Sequence, residues 1–149
     1  MIQVGVIGCG AIGRDHIRRM TEVVMGTKVV AVSDVFVENG QKVAAQYGCT
    51  FYEQGEDLIN DPAVEAVVIC STDDTHARFV LCCIAANKPV LCEKPLGVSE
   101  AECRQIVAAE LQNGRRLVQV GFMRRYDEGY RALKNIIQSG RIGRPLLIH

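Results

Sequence analysis

Tryptophan is absent from these 149 residues, aromatic side chains make up 5%, and there are only four prolines. A core here must therefore be filled by aliphatic groups, and no Pro-rich or low-complexity segment interrupts the chain. Net charge is missing too: 17 Lys plus Arg balance 17 Asp plus Glu, a formal charge of +0. Without a basic surplus there is no global field to draw nucleic acid or an anionic membrane. The pairs Arg18-Arg19, Arg115-Arg116 and Arg124-Arg125 are short and scattered. No stretch approaches the roughly 20 apolar residues of a membrane span, and the N-terminus enters a strand at once, without a secretory signal's charged region and cleavage site. The expected partners thus include no nucleic acid and no membrane, and the expected compartment is the cytoplasm. Seven cysteines are present, but none form a CxxC pair or a Cys/His ligand spacing. They read as small hydrophobes in a reducing compartment, and no metal site is expected. With 48% hydrophobic and 23% charged residues, the chain has the makings of one ordered domain.

What the sequence does have is a strand running into a glycine turn and then a helix, Val4-Gly5-Val6-Ile7-Gly8-Cys9-Gly10-Ala11-Ile12-Gly13. The Gly8-x-Gly10-x-x-Gly13 spacing is the dinucleotide-binding fingerprint. Gly8 suits the tight turn, Gly10 the close approach of a diphosphate, and Gly13 the packing of helix on strand. The helix then offers unpaired N–H groups and its positive end. Ile12, Ile17, Met20 and Val24 are expected on one side of that helix.

The rest alternates strand and helix, which predicts an α/β doubly wound parallel sheet of six strands. Lys28 to Asp34 is a second strand, ending in an acid that can accept hydrogen bonds from both hydroxyls of an adenosine ribose. Its charge would repel a 2′-phosphate and no Arg or Lys follows until Lys42, so NAD is favoured over NADP. A helix from Glu38 to Tyr47 closes at Gly48, and a short strand spans Cys49 to Tyr52. Ala66 to Cys70 is a strand apolar on both faces, leading into the polar loop Ser71-Thr72-Asp73-Asp74-Thr75-His76. Thr75 or Asp74 is expected to cap the next helix, with His76 in its first turn. Pro89 to Cys92 is the fifth strand and delivers Glu93-Lys94-Pro95 to its carboxyl end. A lysine ammonium there can hydrogen-bond a substrate hydroxyl and stabilise a developing alkoxide. Ser99 to Glu102 is a capping box for a helix ending at Asn113-Gly114, and Leu117 to Gly121 is the sixth strand. Beyond it the repeat fails. Asp127 caps a helix bearing Tyr130, Leu133, Ile136 and Ile137, and Arg144 to His149 reads as a further apolar strand without a partner. The expected division is a dinucleotide-binding domain at 1–121, then a linker helix and first strand of a truncated second α+β domain at 122–149.

Over its whole length the chain resembles the N-terminal part of the glucose-fructose oxidoreductase and inositol dehydrogenase family. The resemblance rests on Gly8 to His16, the Thr72 to His76 loop, Glu93-Lys94-Pro95, and Gly121-Phe122-Met123-Arg124-Arg125-Tyr126-Asp127. The last run, with Gly129-Tyr130 behind it, looks most like inositol 2-dehydrogenases. The resemblance implies oxidation of myo-inositol at C2 to the 2-keto inosose, with hydride transfer to NAD. It gives Lys94 the catalytic contact with the substrate hydroxyl and nicotinamide ribose, and gives Gly8, Gly10, Ala11, Ile12, Gly13, Asp34, Ser71, Thr72, His76 and Glu93 to the cofactor. Met123 and Arg124 fall near the substrate, the Lys94-Pro95 bond is often cis in such enzymes, and the parent is a homo-oligomer. The family's general base is a histidine in an Asp-x-x-x-His arrangement of a second domain. No such pair occurs here, so the chain is expected to be a fragment that binds NAD weakly and turns over little or nothing. The alternatives are another NAD-dependent sugar or cyclitol dehydrogenase of the same family, and a non-catalytic nicotinamide-binding redox sensor.

Overall fold

The computed structural model describes residues 1–147. Strand β1 (Ile2–Ile7) leads to helix α1 (Ala11–Glu22), β2 (Thr27–Ser33) to α2 (Val37–Tyr47), and β3 (Thr50–Tyr52) to α3 (Gly55–Asn60). The second half repeats the scheme with β4 (Ala66–Ile69), α4 (His76–Ala85), β5 (Val90–Cys92), α5 (Glu100–Asn113) and β6 (Val118–Val120). The six strands form one sheet in the order β3-β2-β1-β4-β5-β6, and every pairing is parallel. This is the doubly wound order, whose direction reverses between β1 and β4.

The central strands read as continuous apolar runs because both faces are covered. Side chains alternate across the sheet with the strand period of two. Val4 and Val6 of β1 join Ile17, Val29, Val32 and Val43 in one core. Ile7, Val67 and Ile69 join Leu58, Val80, Ile84 and Ile106 in the other. At roughly 25 cal/mol per Å² of apolar surface removed from water, these two layers are what drives the fold. Helix ends follow the expected chemistry, with α2 stopping at Gly48 (φ 64°) and α5 at Gly114 (φ 75°).

Several expectations are corrected. On α1, Ile17 is fully buried but Ile12 is 56% and Val24 49% exposed, because their spacing carries them off the inward face and Val24 lies past the helix end. Neither Thr75 nor Asp74 caps α4 with its side chain. A 3-10 turn over Asp73–Thr75 precedes the helix instead, and the first helical N–H, that of His76, donates to the Asp73 carbonyl. In the capping box, Ser99 Oγ accepts from Glu102 N–H at 3.2 Å, but the Glu102 carboxylate takes the Val98 N–H at 2.7 Å rather than that of Ser99. Residues 144–147 form no strand; Ile148 and His149 of that expected strand lie outside the described residues. Asp127 caps α6 (Glu128–Gln138) as expected, with Tyr130 N–H donating to its carboxylate at 3.2 Å. That helix leaves Tyr130, Leu133 and Ile136 exposed.

Candidate functional site

The chain leaves β1 at Ile7 and turns at Gly8, whose φ of +94° is left-handed and whose Cβ would lie 2.6 Å from the Cys70 and Ser71 backbone. A Cβ on Gly13 would overlap the Gly8 carbonyl oxygen outright, so α1 packs against the turn only with glycine there. Gly10 differs from both: a Cβ there meets nothing within 4 Å. Neither the fold nor its backbone φ of −69° requires glycine at that place. What its bareness preserves is open space against the start of α1. No side chain caps that helix and no acid stands in its first turn, so its N-terminal N–H groups keep their capacity for an anion. The turn therefore fits a diphosphate. Ala11 and Ile12 are exposed in this first turn.

Beside the turn lies a cleft of about 650 Å³, lined among others by Gly8, Gly10, Asp34, Phe36, Ser71 and Thr72. Asp34, just past β2, is 8% exposed. Its Oδ2 accepts from Cys9 N–H at 2.6 Å and from Asn39 Nδ2 at 3.1 Å, and its Oδ1 accepts from Phe36 N–H at 2.8 Å. With two of its roughly four acceptor positions filled on Oδ2 and one on Oδ1, the spare capacity sits on Oδ1. Two ribose hydroxyls would have to share that oxygen or displace a donor. Asn39 also donates to the Cys9 carbonyl at 3.1 Å, Arg14 Nε donates to the same oxygen at 3.1 Å, and the Arg14 guanidinium bonds the Asn39 carbonyl. Sequence reasoning missed this bracing pair. An amide five residues after the strand-end acid was its only signal. Burial, followed by the nearby charge of Asp34, pushes the Cys9 thiol up to about 12, so it acts as a small apolar filler under the turn. Ser71 and Thr72 line the cleft, with Ser71 Oγ 2.7 Å from Thr75 Oγ1.

His76 does not line this cleft. It is 1% exposed, with Nδ1 2.6 Å from the Pro95 carbonyl and Nε2 3.1 Å from the Ser71 carbonyl. It ties the loop after β4 to the loop after β5 from beneath. In the latter loop, the Lys94-Pro95 bond is cis, Lys94 is exposed, and Glu93 accepts from His16 Nε2 at 2.9 Å. Met123 and Arg124 lie in a 3-10 turn after β6. Met123 is 57% exposed, and the Arg124 guanidinium sits 4.8 Å over the Tyr130 ring. Thus Gly8, Gly10, Asp34, Ser71 and Thr72 come together around one cleft. Glu93 and Lys94 stand apart on the β5 end, and Met123 and Arg124 on the β6 exit. Among the described residues no cluster of His, Cys, Asp and Glu could hold a metal, and no helix is long and apolar enough to cross a membrane.

A parallel sheet in this order, with a bare glycine turn at the reversal point and a buried acid after β2, defines a dinucleotide-binding domain of the doubly wound class. The comparisons narrow that class. Residues 2–122 match the model of the GFO_IDH_MocA group, described as an oxidoreductase family with an NAD-binding Rossmann fold, and the chain belongs to that family. Inositol 2-dehydrogenase of Pseudomonas savastanoi pv. phaseolicola is 55% identical over 99% of this chain and 45% of its own length. That of Ralstonia nicotianae is also 55% identical, over 44% of its length. The chain thus spans a little under half of the curated relatives it matches. A crystal structure of myo-inositol dehydrogenase from Lactobacillus casei in complex with NAD(H) and myo-inositol superposes with a TM-score of 0.92 and 40% identity, covering 98% of this chain and 44% of that one. Scyllo-inositol dehydrogenase of the same organism gives 0.90 at 26% identity, over 96% of this chain and 42% of that one.

Proposed function

We propose that this chain is the NAD-binding part of an inositol 2-dehydrogenase, whose whole protein oxidises myo-inositol at C2 to 2-keto-inosose. The observation that carries the reading is the exposed Lys94 at the carboxyl end of β5, across the sheet's reversal from the open space at Gly10. The turn would hold the diphosphate of a dinucleotide and Asp34 its adenosine ribose, which leaves the residues at the ends of β4 and β5 for its nicotinamide half. NAD supplies the hydride acceptor. Within this chain, the α1 N-terminus and turn would bind the diphosphate, and Asp34 would select an unphosphorylated ribose. Lys94 would hold the substrate hydroxyl and stabilise the oxyanion while the proton passes to a general base that the rest of the whole protein supplies. Glu93 and His76 serve this site by fixing the Lys94 segment, and Met123 and Arg124 border the substrate.

The myo isomer is favoured over scyllo by 40% against 26% identity to the two Lactobacillus casei structures. Helix α6 supports a division near residue 121. Its Tyr130, Leu133 and Ile136 are 50%, 42% and 36% exposed, so it packs little on the sheet domain. The test is a polyol screen of the full reading frame with NAD, reading NADH formation. Myo-inositol is expected as the best substrate, Lys94→Ala is expected to lower kcat about 10²–10⁴-fold, and the present chain is expected to bind NAD without turnover. A full-length protein that prefers another polyol, or a Lys94→Ala variant of normal rate, would overturn the reading.

A further inference from the structure

Lys94 is exposed, yet the residues on either side of it are held. After it, the Pro95 carbonyl is 2.6 Å from His76 Nδ1 of α4. Before it, the Glu93 carboxylate is 2.9 Å from His16 Nε2 of α1, with the two side chains only 27% and 22% exposed. The exit of β6 also lies against that carboxylate. A Cβ on Gly121 would stand 3.2 Å from the Glu93 carboxyl carbon and from both its oxygens. Backbone ladders close the rest of the frame, with Glu93 N–H donating to the Ile69 carbonyl at 2.9 Å and Gly121 N–H to the Cys92 carbonyl at 2.8 Å. Glu93 is thus bonded to His16 and leaves no room for a side chain at Gly121.

We infer that His16 is a positioning residue: through Glu93 it locks the Lys94 segment to α1, the same helix whose first turn receives the diphosphate. His16 lies six positions beyond Gly10, under two turns along a stiff helix. The anion-binding end and the lysine are in this way joined as one body across the reversal of the sheet, so the amine keeps its distance from whatever the turn holds. Positioning of this kind matters because an error of about 1 Å at a reacting group costs on the order of 10²-fold in rate. A bare helix end and a floppy lysine would bind a dinucleotide without aligning it. The inference rests on the reading of Lys94 as the group that meets the nicotinamide side.

The test uses this chain, first without ligand. Backbone ¹⁵N relaxation is measured for parent, His16→Ala, His16→Gln and Glu93→Ala, each checked for fold by circular dichroism. The Lys94 amide is expected to fall from an order parameter of roughly 0.85 to below roughly 0.6 in His16→Ala and Glu93→Ala. It should stay near the parent value in His16→Gln, whose amide N–H can still donate to the carboxylate. Should His16→Ala fail to fold, Glu93→Ala carries the comparison. An unchanged Lys94 amide in the alanine variants, or equal loosening in His16→Gln, overturns the lock. NADH and ADP-ribose are then titrated. Losing the lock in His16→Ala is expected to weaken NADH about tenfold, the scale of one charge-assisted hydrogen bond, and to leave ADP-ribose within about twofold, because ADP-ribose ends before the nicotinamide. Equal weakening of both ligands would show that His16 acts on the diphosphate turn and would overturn the inference. A loosened Lys94 with NADH unaffected would uphold the lock and overturn instead the placing of Lys94 beside the nicotinamide.

Discussion

Replacing Gly10 by alanine separates what the fold needs from what the ligand needs. The added Cβ meets nothing within 4 Å, and the backbone φ of −69° is open to any residue. Alanine is a poorer N-cap than glycine by several tenths of a kcal/mol, but Gly→Ala at a compatible conformation gains ~0.4–1 kcal/mol through the unfolded chain. These nearly cancel, so stability should stay within about 0.5 kcal/mol and Tm within about 2 °C. Binding should respond very differently. The methyl projects into the space where diphosphate oxygens must reach the α1 N–H groups. Losing two charge-assisted hydrogen bonds at ~1.5 kcal/mol or more each removes about 3 kcal/mol, on the order of 10²-fold in NAD affinity. Gly13→Ala provides the contrast, because there the Cβ overlaps the Gly8 carbonyl and the overpacked turn should cost ~3 kcal/mol or more of folding stability. Calorimetric titration with NAD beside thermal melts by circular dichroism reads both quantities. A Gly10→Ala chain that folds normally and binds NAD within threefold of the parent would refute the assignment of the turn.

Three further outcomes follow from particular contacts. Asp34→Ala orphans the N–H groups of Cys9 and Phe36 and removes one of the two acceptors of the Asn39 amide. At ~1 kcal/mol each, the loss of about 3 kcal/mol should lower Tm by roughly 6–12 °C, and a melt within about 2 °C of the parent would disprove the bracing of the acid. The thiols of Cys9, Cys70, Cys83 and Cys92 are each pushed up to about 12, chiefly by burial. At pH 8 their thiolate fraction is then ~10⁻⁴, so iodoacetamide should leave all four intact in the native chain by mass spectrometry. Rapid alkylation of Cys83 or Cys92 would contradict their place in the core. Asp61 is held below its ordinary 3.8 by the Tyr52 hydroxyl, which donates to it at 2.7 Å, and by Ala63 N–H. Because the folded value lies below the unfolded one, this contribution is present above about pH 3.8 and is lost as pH falls through the folded value. Tyr52→Phe should flatten that acid limb in pH-dependent melts, and an unaltered limb would place the titration elsewhere.

Strand and helix alternation, the glycine turn and the acid after β2 were all written in local sequence. A period of two or 3.6, a bare turn and a helix stop depend on near neighbours along the chain, and six parallel strands with helix stops at Gly48 and Gly114 emerged where they were read. What depended on distant neighbours was not legible. His76 looked like a cofactor residue but is buried under two loops, since only folding brings the Ser71 and Pro95 carbonyls to its two nitrogens. The Asn39 and Arg14 brace and the partnership of His16 with Glu93 each join helices and loops 25 to 77 residues apart. The amino-acid order by itself determined the class of fold and where an anion can sit, because those follow from steric rules within a few residues. Tertiary packing alone decided which acceptors of Asp34 stay free and what holds Lys94 in place, because hydrogen bonds between remote side chains exist only once the sheet has brought their strand ends together.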